Sequence, residues 1–89
     1  MKYKLGYSTE FDKDVSKLKK RDYDLSHLKE AIKLLEKHGK LPKTYRTHYL
    51  YSAYKQCLEC HLLDDWLLIW KQSKENIYFI RTGTHSDLF

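Results

Sequence analysis

Trp66-Leu67-Leu68-Ile69-Trp70 is a run of five apolar residues with no polar alternate. A strand through it has no side to give to water, so it belongs in the middle of a sheet. Its neighbours follow on either side. Gln72 to Asn76 reads as a polar turn and Ile77 to Arg81 as the next strand, while Leu63 to Asp65 is a tight turn back to a strand over Tyr54 to Leu62. Such short links join antiparallel strands, since a parallel return needs a crossover of a dozen residues or more.

Upstream the period changes. Lys2 to Tyr7 alternates, with Tyr3, Leu5 and Tyr7 on one side, as a half-buried strand does. Thr9 and Asp12 resemble a capping box opening a helix through Lys20 on Phe11, Val15 and Leu18. Arg21 to Asp24 is a polar connection. Asp24 or Ser26 can cap a second helix carrying Leu28, Ile32 and Leu35, which Gly39 ends, with Pro42 soon after. Lys40 to Leu50 reads as irregular and Thr82 to Phe89 as a tail. The expectation is an α+β domain of order β-α-α-β-β-β, two N-terminal helices packed on one face of an antiparallel-rich sheet. The other face is expected to stay open for a partner or substrate.

Eighty-nine residues leave room for a single domain over 1–89, because a second would have no core. Met1 to Tyr7 lacks the apolar stretch of a signal peptide, and no window approaches the roughly 20 apolar residues of a membrane span. These features predict a cytoplasmic protein with no membrane partner. Cys57 and Cys60, three apart on a strand, point to opposite faces and suit neither a disulfide nor a shared metal.

The net charge of +5 is unevenly spread: residues 1–46 carry +6 and residues 47–89 carry −1. The helices' outer faces hold Lys13, Lys17, Lys19, Lys20, Lys29, Lys33 and Lys37, which form either a solvated face or a polyanion-binding patch. Three histidines fall in the less basic half, His48 before the strands, His61 beside the first turn and His85 in the tail. Asp65, four residues after His61, is brought back toward that imidazole by the turn, and Arg81 ends the last strand. Cleavage of RNA through its own 2′-hydroxyl needs a base, an acid for the departing 5′-oxygen, and positive charge for the transition state. Histidine serves as either near neutral pH, and arginine supplies permanent charge with a fork for phosphate oxygens. That chemistry needs no metal and no cofactor. Trp66, beside Asp65, and the terminal Phe89 stand out as base-stacking candidates, while Trp70 and Phe79 read as core.

The segments His61-Leu62-Leu63-Asp64-Asp65-Trp66-Leu67-Leu68-Ile69-Trp70 and Arg81-Thr82-Gly83-Thr84-His85-Ser86-Asp87-Leu88-Phe89 resemble the YafQ branch of the RelE/ParE toxin superfamily. The resemblance implies a RelE-like fold and a ribosome-dependent mRNA interferase held inactive by a cognate antitoxin, DinJ-like or RelB-like. It places the acid-base set on His48, His61, Asp65 and His85, with Arg81 opening the tail motif. It puts Phe89 and Trp66 against the substrate. Ser52, Gln56 and Leu58 stand where the family commonly has glycines and an arginine, leaving Arg81 and Lys55 to neutralise phosphate, and Asp64 replaces a usual proline. Under this reading Lys13, Lys17, Lys19, Lys20 and Arg21 dock to ribosomal RNA, messenger RNA is the substrate, and His85 is the general acid with His48 or His61 the base. The alternative on the same fold is a ParE-like toxin that poisons its target by binding alone. A plain RNA-binding module, in which only the basic helices matter, is the third reading.

Overall fold

The computed structural model describes residues 2–51 and 54–89. The elements are β1 (Lys4–Tyr7), α1 (Thr9–Lys20), α2 (Ser26–His38), a 3-10 turn (Lys43–Tyr45), β2 (His48–Tyr49), β3 (Leu58–Leu63), β4 (Trp66–Gln72), β5 (Asn76–Gly83) and α3 (His85–Leu88). They form one five-stranded sheet of order β1-β5-β4-β3-β2. Among the described residues only the β1 and β5 pair is parallel, with α1, α2 and strands β2 to β4 between the two in the chain; the others are antiparallel. The apolar run lies on β4 at the centre of the sheet, as its lack of a polar side requires.

Both helices pack on one face. Phe11 and Leu18 of α1 and Leu28, Ala31 and Leu35 of α2 bury against Cys60, Trp66, Leu68, Trp70, Ile77 and Phe79 of the sheet. Both expected helix starts need correction: α2 opens on Leu25 with no side-chain cap, where Asp24 or Ser26 was expected. Ser8, not Thr9, caps α1: its hydroxyl accepts from the Phe11 amide at 2.9 Å and donates to the Ile80 carbonyl at 2.6 Å. The same serine therefore opens the helix and satisfies β5 where β1 runs out, a double use that Thr9 has no geometry to provide. Asp24 accepts from the Ser26 amide in the turn before α2, and Gly39 ends that helix at φ +70° with its amide on the Leu35 carbonyl. A Cβ at residue 39 would run into the Tyr3 ring, so glycine is required there twice over.

The strand after the irregular stretch begins later than expected. Tyr54–Gln56 make a turn, with Gln56 at φ +63°, and β3 starts only at Leu58. Ser52 lies outside the described residues. The stretch before it is not wholly irregular, since His48–Tyr49 form a short edge strand on β3. Nor is the second sheet face fully open. Leu67 and Ile69 alternate onto it and would be bare; Leu50, Tyr54, Cys57, Ile80 and Leu88 cover them. The tail expected over Thr82 to Phe89 is thus β5 continued to Gly83 and one helical turn folded back over that face. Among the described residues no helix is long and apolar enough to cross a membrane.

Candidate active site

Strand register builds the site. His48 faces Glu59, Glu59 faces Ile69, and Ile69 faces Arg81; in the next row His61 faces Leu67, which faces Gly83. Directly opposed residues share a face, so His48, Glu59 and His61 project together on the side away from the helices. A bulge in β5 contributes. Trp70 pairs with Phe79 and Ile69 with Arg81, so Ile80 is the extra residue and the alternation reverses past it. Were the alternation to run unbroken through Ile80, Arg81 would share the core-facing side of Ile77 and Phe79.

The tail then closes the group. Thr84 caps α3 in a capping box with Asp87, which aims the turn so that Asp65 Oδ1 meets both the His85 amide at 3.1 Å and His85 Nδ1 at 2.7 Å. These bonds from His85 hold the Asp65 carboxyl below its usual range. An ionised carboxylate only accepts, so Nδ1 carries the proton of this pair and Nε2 is left for a substrate. Phe89 sits with its ring 6.1 Å from the His85 ring and edge-on to Tyr54 at 5.6 Å, 56% exposed.

The two histidines of the sheet are not equivalent. His48 has both nitrogens engaged, Nε2 with Glu59 at 3.0 Å and Nδ1 with the Arg46 carbonyl at 3.1 Å. His61, its ring 6.0 Å from that of His48, has a buried Nδ1 with no hydrogen-bond partner among the described residues. Burial pushes the His61 pKa down from 6.5, and the charges of Arg46, His48 and His85 push the same way against the opposing pull of Glu59. His61 is therefore a neutral ring at pH 7. Donor atoms of His48, Glu59 and His61 all lie within 4.8 Å of one another, so the same cluster that can share a proton could also hold a divalent cation.

The structure brings His48, His61, Asp65, His85 and Phe89 together and moves other expected residues elsewhere. Asp65 pairs with His85 across the tail and not with His61, because the turn projects it toward α3. Trp66 is corrected: 1% exposed, it donates its indole N–H to Thr82 at 2.9 Å and takes the Tyr23 ring edge-on at 5.1 Å, so its ring is core and not presented at the surface. Arg81 is corrected too. Its guanidinium forks onto Asp14 at 2.7 and 3.0 Å and reaches the Tyr54 hydroxyl at 3.2 Å, so its charge lies beside the site while its hydrogen bonds are spent. Arg21 forks onto Asp87 and leaves the α1 docking set, whereas Lys13, Lys19 and Lys20 are exposed. Lys17 is half-exposed with its amine 3.8 Å from Asp87, and Lys55 is exposed on the turn before β3. Cys57 and Cys60 fall in separate clusters on the two sheet faces, both as free thiols, with burial pushing Cys60 up to about 12.

Glu59, Arg46, Tyr54, Asp14 and Asp87 were missed. Two signals were available. Glu59 lies two residues before His61, the spacing that puts strand residues on one face, and Asp14 interrupts the apolar stripe of α1 between Phe11 and Leu18. The reassignment of Trp66 is testable. Trp66→Phe removes the bond to Thr82, whose hydroxyl keeps its bond to the Leu67 carbonyl, and should cost about 1 to 2 kcal/mol from the lost hydrogen bond and the volume taken from the core. Thermal denaturation should report that loss while any nuclease rate of the folded protein stays within about twofold; a lost rate with unchanged stability would restore Trp66 to the site.

Two helices over a sheet of this order, with imidazoles gathered where β3 and the tail meet, define a small bacterial toxin of the RelE type. The chain belongs to the YafQ family: the family model described as bacterial toxin of type II toxin-antitoxin system, YafQ, matches residues 3–89. It is 40% identical over 86 residues to the mRNA interferase toxin YafQ of Escherichia coli strain B / BL21-DE3, covering 96% of this chain and 94% of that one. The strain K12 protein of the same name is 38% identical over the same shares. The toxin in a crystal structure of the E. coli DinJ-YafQ toxin-antitoxin complex superposes with a TM-score of 0.91 at 36% identity, covering 100% of this chain and 99% of that one.

Proposed function

We propose that the protein is an endoribonuclease toxin that cuts messenger RNA on translating ribosomes by histidine acid-base catalysis, and that a DinJ-like or RelB-like antitoxin holds it inactive. The observation that carries this reading is the Asp65–His85 pair, near enough for the His85 charge to act on a neutral His61, in a chain that aligns over 96% of its length with an mRNA interferase toxin.

The roles follow from which nitrogens are free. His61, uncharged at pH 7, takes the proton of the 2′-hydroxyl; His48, with both nitrogens engaged, is the weaker choice for base and lies beside the phosphate. The 2′-oxygen attacks phosphorus, the bond to the 5′-oxygen breaks, and His85 delivers a proton from Nε2 to that leaving oxygen. Asp65 fixes the His85 ring and supports its charge. Phe89 offers an aromatic face to the base next to the scissile bond. Arg81 contributes field but no fork. Lys13, Lys17, Lys19 and Lys20 meet ribosomal RNA phosphate, an interaction that weakens with salt, and the antitoxin is acidic where it covers the helices.

The test is to map cuts on one message, translated and untranslated, with purified toxin. Cuts confined to translated codons, leaving 2′,3′-cyclic phosphate ends, are expected, and they should persist with a chelator that removes zinc and copper but spares the ribosome's magnesium. Intact message alongside arrested growth would instead support a toxin that acts by binding.

A further inference from the structure

The α3 turn carries His85 and leads into Phe89, yet it is four residues long, and a single helical turn does not hold itself together in water. Its pose is imposed from outside. Asp65 takes the first amide, Leu88 is buried against the sheet, and the Tyr54 hydroxyl reaches the Leu88 carbonyl at 3.3 Å. The strongest outside contact comes from the end of α1. Arg21 places Nη1 2.9 Å from Asp87 Oδ2 and Nη2 3.1 Å from Oδ1, a two-pronged fork spanning 66 residues of sequence. The same Asp87 closes the capping box, with Oδ2 accepting from the Thr84 amide at 3.0 Å. Gly83 makes the approach possible: its φ is +154°, and a Cβ there would stand 3.0 Å from Asp87 Oδ2.

Asp87 lies two residues after His85, so whatever fixes the rotation of the turn about Asp87 fixes where the imidazole points. We infer that Arg21 and Asp87 are positioning residues, a clasp from α1 that sets the orientation of His85 and Phe89 against His61. This rests on the nuclease reading above for its catalytic consequence but not for its structural one. Arg21 therefore belongs to the turnover step and not to the ribosome-docking lysines beside it. A fork is also what lysine cannot reproduce, since an ammonium is a single point of charge.

The experiment uses the full chain with Arg21→Ala, Arg21→Lys and Asp87→Asn. Amide hydrogen exchange on the isolated toxin should quicken about tenfold or more across residues 85–89 in Arg21→Ala and Asp87→Asn, with the β4 amides unchanged. Single-turnover cleavage on saturating ribosomes should fall about tenfold or more, because misplacing a reacting group by an ångström costs up to about a hundredfold. Ribosome affinity should stay within about twofold. Arg21→Lys should recover little of the rate, and adding Arg21→Ala to His85→Ala should cost clearly less than it costs wild type, the remainder being what acts through Phe89. Unchanged tail exchange overturns the clasp, as does a loss seen wholly in ribosome affinity and rescued by lysine. If wild type cuts no message the nuclease reading fails, and exchange alone decides the clasp.

Discussion

His85→Ala should slow message cleavage on the ribosome by about 10² to 10⁴-fold, the usual worth of one positioned acid, while the folded state is nearly untouched. The side chain is 59% exposed, so its removal opens no cavity, and α3 keeps the Thr84 cap, the buried Leu88 and the Arg21 fork. Melting temperature and antitoxin affinity should therefore match wild type. The comparison with Asp65→Asn separates the roles. That variant keeps a hydrogen-bond acceptor for Nδ1 and loses only the charge behind it, so it should fall less far. A pH profile gives the other half of the pair. His61 must be uncharged to take a proton, and its pKa lies below 6.5 because of burial. Going up from acid, the rate should rise through an inflection below 6.5. An inflection above that value would transfer the base role to another group, and undiminished cutting by His85→Ala would remove the acid role altogether.

Periodicity made the helices, the central strand and the order of elements legible, because each is set by which residues can bear water. Trp66 to Trp70 could be nothing but a middle strand, and Gly39 nothing but a helix end. The candidate set of His48, His61, Asp65 and His85 is picked out from residue type together with the resemblance. What escaped depends on contacts that no local pattern encodes. The bulge at Ile80 reverses the side of Arg81, and nothing in Ile77 to Arg81 announces an extra residue. Trp66 looked available beside Asp65, yet the turn projects Asp65 out to His85 while Trp66, opening β4, goes in beneath Tyr23. Thr82 to Phe89 reads only as a tail because its helix is too short to show a period. Asp14 and Asp87, each tied to an arginine more than 60 residues away, can be read only once those distances have closed.

Asp14→Ala should produce the largest loss of stability among single changes outside the apolar core. The carboxylate takes three donors: Arg81 Nε at 2.7 Å, Arg81 Nη2 at 3.0 Å and the Thr82 amide at 3.1 Å. The third arises because β1 pairs with β5 only as far as Phe79, so the β5 edge beyond it has no strand to accept its amide and α1 supplies an oxygen instead. Deleting the side chain leaves a guanidinium held against the sheet and orphans a buried N–H. Breaking a buried pair costs about 3 to 5 kcal/mol, and the low end applies here because the Arg81 side chain is 24% exposed and can partly turn to water. For a domain of 89 residues, 3 kcal/mol corresponds to a fall in melting temperature of roughly 15 °C. Asp14→Asn, which keeps an acceptor for Thr82, should lose less. The loss should spread to the tail, since Arg81 also holds the Tyr54 hydroxyl that reaches Leu88. If Arg81 were the phosphate fork, freeing it from Asp14 would tighten RNA binding. The expected result is the reverse, a less stable protein with RNA affinity no higher than wild type, and an unchanged melting temperature would show that the pair anchors nothing.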